Sequence, residues 1–152
     1  MLGNSYEGQV CSAARSLEVV GERWSLLIIR DALFAGVTRF SDFRRRLGLA
    51  RNILADRLDG FVDAGIMERF SPGGSAYQEY RLTDKGRDLA PVIIALTEWG
   101  DRWAAPDGRP IIYRHLACGG EIEQQLVCGH CRAPVGRDEV GVERGPGMPG
   151  AA

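Results

Sequence analysis

Apolar positions in the first half of the chain recur at helical spacing in two short blocks. The first block, residues 41–47, can begin at Ser41, whose hydroxyl can accept a hydrogen bond from a first-turn N–H, and it ends at Gly48. The second block, residues 51–64, ends at Gly65. Its apolar residues share one helix face: Leu54, Leu58, Phe61 and Val62. Leu49 and Ala50 make the turn between the two blocks. Two helices joined by such a short turn indicate a helix-turn-helix, whose second helix can lie in a DNA major groove.

After this helix pair the pattern changes from helical to extended. Residues 66–70 and 77–82 are rich in aromatic and branched side chains, and the sequence SPGGSA lies between them. Pro72, Gly73 and Gly74 provide the fixed and positive φ angles of a tight turn, so the pattern predicts a β-hairpin. A hairpin in this position is interpreted as a wing beside the helix-turn-helix. The alternative is a hairpin that only covers the core.

Two further helices are predicted before the helix pair. Residues 11–20 form a short amphipathic helix that Gly21 interrupts. Residues 24–34 form a more apolar helix, which we expect to lie in the core and to end at Gly36. Its core candidates are Leu27, Ile28 and Leu33. Cys11 is expected to be a buried small hydrophobe, with a reactive thiol as the alternative.

A long apolar helix is predicted after the hairpin. Thr83 caps it, and Pro91 predicts a kink or a boundary between two helical pieces. Its apolar seam comprises Leu89, Val92, Ile93, Leu96, Trp99 and Trp103. A seam of this length needs a partner, and the simplest partner is a second copy of the chain about a two-fold axis. The alternative is packing on the helix of residues 24–34.

Charge separates the helix pair from an ordinary helical hairpin. Residues 39–57 contain six arginines and two acidic residues, a local net charge of +4, whereas the whole chain of 152 residues carries −1. A basic patch on a nearly neutral protein is typical of a surface that meets phosphate. The composition of the whole chain, 45% hydrophobic and 26% charged, is that of a soluble globular protein. No apolar run approaches the ~18 residues of a membrane span, and no signal peptide is recognisable, so a cytoplasmic protein without a membrane partner is expected.

The chain resembles a known family in residues 11–103. The residues that carry the resemblance are Cys11, Gly21, Trp24, Gly36, Arg39, Phe40, Leu54, Leu58, Gly65, Arg69, Tyr80, Leu82, Thr83, Gly86, Trp99 and Gly100. They are similar in order and spacing to the HxlR-type bacterial transcription regulators, winged-helix relatives of the MarR regulators. The resemblance implies a homodimer that binds double-stranded DNA at a pseudo-palindromic operator and more often represses than activates.

The chain departs from the family pattern in three places. Glu22 and Ala50 stand where the family more often has Gly and Ser, and the hairpin tip lacks the family's proline-rich sequence. Ala50 weakens the expected N-cap of the second helix by about 1 kcal/mol unless another group replaces it.

The resemblance assigns candidate DNA-binding residues. Arg51 and Asn52 lie at the entering end of the second helix and are candidates for guanine and adenine edges. The expected backbone contacts are Arg39, Arg44, Arg45 and Arg46, with Arg69 on the wing. Asp56 and Asp59 would repel phosphate, so either only the first turn enters the groove or Asp56 meets a cytosine amino group.

The C-terminal part carries a second constellation. His115 and Cys118 are three positions apart, as are Cys128 and Cys131, and nine residues separate the two pairs. Zinc takes four tetrahedral ligands, and this spacing lets one tight loop present two of them. Gly119 suits the first turn, and the sequence EIEQQLV between the pairs predicts a strand. We therefore predict one structural zinc ion per chain, with His130 as a weaker substitute ligand.

Other chemistry at the cysteines is also considered. The sequence Cys128-Gly129-His130-Cys131 matches the active-site string of disulfide isomerases, but the βαβ context of that chemistry is missing. A redox switch that loses zinc on oxidation, or a ribbon without metal, remains open. The predicted organisation is residues 8–104 for a DNA-binding and dimerisation domain, 110–135 for a zinc-ribbon-like appendage and 136–152 for a disordered Gly/Pro-rich tail.

The leading hypothesis is a mainly α protein with a small β wing that regulates transcription by sequence-specific DNA binding. Two alternatives stay open. The first is a redox- or electrophile-sensing regulator that uses Cys11 or the Cys128/Cys131 pair, and the second is a protein-interaction module without specific DNA binding. No acid/base pair, nucleophile motif or phosphate loop supports an enzyme. The sequence indicates no particular small-molecule effector.

Overall fold

Six α-helices and a two-stranded antiparallel sheet form the regular structure of residues 6–74 and 77–149, the part that this computed structural model describes. The helices are α1 (Ser12–Val20), α2 (Ser25–Phe34), α3 (Phe40–Leu47), α4 (Arg51–Asp63), α5 (Asp84–Arg87) and α6 (Ala90–Trp103). The strands are β1 (Met67–Phe70) and β2 (Glu79–Leu82). This confirms a mainly helical fold with a small wing.

The chain divides into two units, and the division lies inside α6 between Ile93 and Ile94. The sequence placed the first boundary after this helix, at residue 104. The second half of α6 bonds to the segment that follows it, because Glu98 accepts a hydrogen bond from the Gln124 N–H at 2.9 Å. None of the helices among the described residues is long and apolar enough to cross a membrane.

The core of the first unit lies between α2, α3, α4 and the base of the hairpin. Its fully buried side chains include Ile28, Ile29, Phe43, Leu54, Leu58 and Phe61. The predicted stripe of α4 is confirmed, with Val62 half-buried. On α2, Ile28 is buried as predicted, whereas Leu27 and Leu33 are half-buried and Ile29 takes the interior position. Each of these large side chains stabilises the fold by roughly 1.5–3 kcal/mol.

The ends of the helix pair follow the local chemistry, with one correction. The helix α3 begins at Phe40, so Ser41 lies inside its first turn and the prediction that Ser41 is the N-cap is wrong. The Arg39 carbonyl already accepts from the Asp42 N–H at 3.0 Å, which starts the helix before the serine hydroxyl could. Gly48 ends α3 with φ +65°, and Ala50 precedes α4 without a side-chain cap, both as predicted.

The predicted hairpin is confirmed in antiparallel register, with Arg69 opposite Tyr80. Its tip includes a 3-10 turn, Pro72–Gly74, in which Gly73 and Gly74 have positive φ; the tip residues 75 and 76 lie outside the described residues. The segment before α3 joins the sheet edge, because the Tyr80 N–H donates to the Thr38 carbonyl at 2.8 Å. The wing and α3 are therefore connected through their backbones.

Thr83 caps the helix after the hairpin as predicted. Its Oγ1 accepts from the Gly86 N–H at 3.2 Å and donates to the Gly65 carbonyl at 2.7 Å. The predicted boundary near Pro91 is also present, because α5 ends at Arg87 and α6 begins at Ala90. Pro91 then occupies the first turn of α6, where its missing N–H removes no helical bond.

The prediction that Cys11 is buried is wrong, because Cys11 is exposed at the start of α1. The predicted strand of residues 121–127 is likewise absent from the described structure. Its two ends form single antiparallel bridge pairs with different neighbours, Arg114 with Glu121 and Val127 with Pro134. Of the tail predicted to be disordered, the structure describes residues 136–149, which include a 3-10 turn at Arg137–Glu139, and residues 150–152 lie outside it.

Candidate nucleic-acid interface

The first turn of α4 presents a polar and basic tip. Arg51 and Asn52 are both exposed, and the guanidinium carbon of Arg51 lies 5.7 Å from the centroid of the Phe40 ring. A cation over an aromatic face at this distance is attracted to it, which limits the rotamers of Arg51 without covering its N–H donors. Arg51 can therefore present its donors outward at the end of the helix.

The remainder of the exposed face of α4 is acidic. Asp56, Asp59 and Asp63 follow the first turn and are all exposed. Carboxylates on this face repel phosphate, so the charge on α4 favours approach of DNA to the N-terminal end only.

A notch between α3 and the turn adjoins that end. It has a volume of about 390 Å³ and is lined by Ser41, Arg44, Arg45, Gly48 and Leu49. Within the described residues Arg44 has no acidic partner, whereas Arg45 donates to Asp42 Oδ1 at 2.8 Å. An exposed pair of this kind contributes under about 1 kcal/mol, so Arg45 can exchange its carboxylate for a phosphate.

Arg46 is held differently from its neighbours. Its Nε donates to Asp31 Oδ2 at 3.0 Å, and Arg30 donates to Asp31 Oδ1 at 2.8 and 3.0 Å. Asp31 is only 2% exposed and belongs to α2. The Arg46 side chain therefore links α3 to α2. This link covers it only partly, because the side chain is 48% exposed. The sequence analysis missed Asp31, whose one signal was an acid next to Arg30 within a mostly apolar helix.

A second buried acid organises the base of the wing. Glu79 is 9% exposed and pairs with Arg39 at 3.6 Å and with Arg81 at 3.2 Å. The guanidinium of Arg81 also lies 3.4 Å from the centroid of the Phe70 ring. Glu79 was not predicted either, because a single acid in a strand carries no distinctive spacing.

Arg69 connects the wing to α4. Its Nη2 donates to Asp59 Oδ1 at 2.6 Å. Asp59, and to a smaller extent Tyr80, raise the pKa of Arg69 above its ordinary value. The candidate arginines thus differ in their partners: Arg39, Arg45, Arg46 and Arg69 contact carboxylates, whereas Arg44 and Arg51 contact none among the described residues.

The histidine and cysteine residues form two loops with the same backbone geometry. The His115 N–H donates to the Gly120 carbonyl at 2.8 Å, and the Gly119 N–H donates back to the His115 carbonyl at 2.8 Å. In the second loop the Cys128 N–H donates to the Ala133 carbonyl at 2.9 Å, and the Arg132 N–H donates back to the Cys128 carbonyl at 3.0 Å. His115 and Cys128, the first residue of each pair, are therefore bonded at the same relative positions.

The side chains within each loop are also close together. His115 Nδ1 lies 3.1 Å from Cys118 Sγ, and the Cys128 and Cys131 thiols are in contact. The backbone N–H groups of Cys131 and His130 lower the pKa of the Cys128 thiol. Across residues 6–74 and 77–149, however, no three His, Cys, Asp or Glu side chains are grouped closely enough to hold a metal ion. The structure thus forms both predicted pairs and keeps them apart.

Cys11 lies at the N-terminus of α1, apart from these loops along the chain. The backbone N–H groups of Ala14 and Ala13 lower the pKa of its exposed thiol, because they stabilise the thiolate.

Comparison with known proteins identifies relatives of this chain. The model of the HxlR-like helix-turn-helix family matches residues 19–108. The HTH-type transcriptional regulators Mb3122 of Mycobacterium bovis and Rv3095 of Mycobacterium tuberculosis are each 43% identical over 149 residues, which are 97% of this chain and 92% of theirs. These regulators are themselves uncharacterized.

Solved structures agree with these sequence relatives. PA1607, a protein proposed to be a transcription factor, is 40% identical with a TM-score of 0.82, and the match covers 91% of this chain and 97% of that one. The reduced form of the redox regulator HypR is 28% identical with a TM-score of 0.55, over 60% of this chain and 92% of that one.

Proposed function

Because the chain belongs to the HxlR-like helix-turn-helix family of DNA-binding transcriptional regulators, we propose that it acts as a homodimer on a pseudo-palindromic operator. The observation that carries the proposal is the joint position of two cationic features. The exposed first turn of α4 presents Arg51 and Asn52, and the notch lined by Arg44 and Arg45 immediately precedes it in the chain. Together they offer base contacts and phosphate contacts on one helix-turn-helix.

The residues have distinct roles in this proposal. Arg51 pairs with a guanine and Asn52 with an adenine, since their side chains match the donor and acceptor patterns of those bases. Arg44 and Arg45 bind backbone phosphates and set the register of α4 in the groove. Only the first turn of α4 enters the groove, because Asp56 would bring a carboxylate towards phosphate.

The second copy of the chain packs on α6. Val92, Leu96, Trp99 and Trp103 lie along one face of this helix and are 47–68% exposed. An apolar helix face that is open to water favours association, and a two-fold axis lets it pack on its own copy. Such a dimer would present two copies of α4 to a pseudo-palindromic site, and occupancy of that site would block a promoter.

Oligomeric state tests the packing on α6. Trp99→Asp should shift the protein from dimer to monomer in sedimentation velocity, whereas Val142→Asp, at an exposed apolar residue of the tail, should not. A Trp99→Asp protein that stays dimeric would place the interface elsewhere.

DNA selection tests the assigned roles. Fragments chosen by the parent protein from random DNA define the operator, and fluorescence anisotropy then measures affinity for single-base variants at several salt concentrations. Arg51→Ala should flatten the preference at one base pair by about 1–3 kcal/mol. Arg44→Ala should weaken binding to every sequence and reduce the salt slope by about one.

Arg15→Ala is the matched control, since Arg15 is an exposed arginine on α1. If Arg44→Ala and Arg51→Ala both bind every sequence as Arg15→Ala does, the assignment of the reading helix is wrong. Binding that ignores salt would favour the protein-interaction module instead.

A second candidate function rests on Cys11. Its thiol is exposed, its pKa is lowered, and the similar protein HypR is described as a redox regulator. In this candidate an electrophile forms a bond to Cys11 Sγ, the thiol proton leaves to solvent, and operator affinity changes. N-ethylmaleimide should alter DNA binding of the parent and leave Cys11→Ser unaffected. An equal response of both proteins would exclude Cys11 as the sensor.

A further inference from the structure

The segment after α6 lacks the usual means of holding a fold. Every residue from 104 to 149 is described, and none of them is buried. A segment of about 45 residues cannot obtain enough stability from apolar burial when it buries no side chain, and small units of this kind normally need a metal or disulfides. The four cysteines of the chain are all free thiols in this structure.

The two loops already have the shape that a metal would require of them. In each loop the first ligand donates its N–H to the carbonyl five residues later and accepts from the N–H four residues later. The residue after the second ligand adopts positive φ in both, +70° at Gly119 and +61° at Arg132. Arg132 is the one non-glycine residue with positive φ in the described parts of the chain.

Positive φ at an arginine indicates that the surroundings impose this conformation, because it disfavours side chains with a Cβ. The second loop keeps the shape of the first even without glycine. Two loops that share one geometry around Cys, Cys, Cys and His side chains suit the tetrahedral coordination of zinc.

We propose that a zinc ion binds His115, Cys118, Cys128 and Cys131 and joins the two loops into one ribbon. The loops are apart in this structure, and residues 119–127 between them contain no helix and no strand ladder. That connection is held at Gln124 by a hydrogen bond to Glu98, so bringing the two pairs together requires it to bend, and the free energy of zinc binding can drive that movement. Four protein ligands fill the coordination shell, so the ion is structural. Thiol protons leave to solvent as the zinc–sulfur bonds form.

The chain supplies a control for each kind of ligand. His130 is the second of its two histidines and Cys11 is the cysteine outside the pairs. Both His130→Ala and Cys11→Ser remove a potential ligand of the same chemistry without touching the proposed four.

The test is metal content of the full-length protein, purified without chelator and measured by inductively coupled plasma mass spectrometry. We expect about one zinc per chain in the parent, in His130→Ala and in Cys11→Ser. Cys118→Ser, Cys128→Ser and Cys131→Ser should each lose most of it. Replacement of zinc by Co²⁺ should give the absorption spectrum of tetrahedral thiolate coordination in the parent, in His130→Ala and in Cys11→Ser, and in none of the three ligand variants.

Folding is monitored separately, because the six α-helices of the described residues lie before residue 104 and helical circular dichroism reports on them. We expect a chelator to expose residues 104–149 to limited proteolysis while the helical signal stays unchanged. Metal-free parent protein that does not bind added Zn²⁺ would overturn the proposal. So would zinc content that survives loss of Cys128 and Cys131, or zinc whose removal leaves proteolysis of residues 104–149 unaltered.

Discussion

Among the acidic residues of the first unit, the buried carboxylate of Asp31 on α2 is predicted to be the most costly to neutralise by substitution. It accepts three hydrogen bonds from two arginines, with donor–acceptor distances of 2.8–3.0 Å. Asp31→Asn keeps the size of the side chain but removes its charge and turns one acceptor into a donor that faces a guanidinium. Hydrogen bonds to charged groups contribute about 1.5–3 kcal/mol each, so neutralising the carboxylate weakens three strong interactions at once.

The destabilisation is smaller than for a fully buried ion pair. Arg30 and Arg46 have side chains that are 31% and 48% exposed, so both can reach water once the carboxylate is gone. The full penalty of a stranded buried charge therefore does not apply. We expect Asp31→Asn to lower the free energy of unfolding by about 2 kcal/mol. In the first unit, residues 1–93, this loss of stability lowers the melting temperature by about 10 °C.

Urea and thermal unfolding followed by helical circular dichroism provide the assay, at one protein concentration because a dimer unfolds in a concentration-dependent way. The matched control is Asp42→Asn, which removes an exposed pair with Arg45 on α3. It should cost less than about 1 kcal/mol, counting both the ion pair and the position of Asp42 in the first turn. If the two variants lose the same stability, the reasoning from burial is refuted.

Three further predictions concern single sites. A Cβ on Gly86 would lie 2.3 Å from the Ile66 carbonyl oxygen, so Gly86→Ala should destabilise the fold by about 1–3 kcal/mol. A Cβ on Gly60 in α4 meets nothing within 4 Å, so Gly60→Ala should stabilise the fold by about 0.5–1 kcal/mol. The urea midpoints of the two variants should therefore shift in opposite directions. Thr83→Ala removes the helix cap and should cost about 1–2 kcal/mol in the same assay, and an unchanged midpoint would contradict the cap. Cys11 has a lowered pKa, and a variant with serine at the three other cysteines isolates its reactivity. The rate of iodoacetamide modification in the folded variant should rise at a lower pH than in the same variant unfolded in urea. Coincident pH profiles would exclude the effect.

Features of the fold that depend on neighbours along the chain could be predicted from the sequence. The stripe of α4 follows from helical period, and the hairpin follows from two runs of aromatic and branched residues around Pro72, Gly73 and Gly74. The cap at Thr83 and the paired loops around His115 and Cys128 are likewise local. Each is decided by residues within a few positions of one another.

Features that depend on packing could not be predicted. Asp31 and Arg46 are 15 residues apart and meet only because α2 packs on α3. The sequence placed Arg44 and Arg69 together among the expected backbone contacts, although Arg69 is bonded to Asp59 and Arg44 has no carboxylate partner among the described residues. Cys11 was placed in the interior on the general preference of cysteine, and the packing of α1 leaves it outside.

The acidic second half of α4 limits how much sequence information one protomer can extract. A single helical turn rises 5.4 Å, which spans fewer than about two steps of a duplex at 3.4 Å per step. Any given dinucleotide recurs roughly once in sixteen positions of random DNA, so a lone protomer would be nearly indiscriminate across a genome. If two copies pair through α6 as proposed, discrimination comes from the fixed separation of two such short contacts, and the rigidity of that pairing then determines which operators are bound.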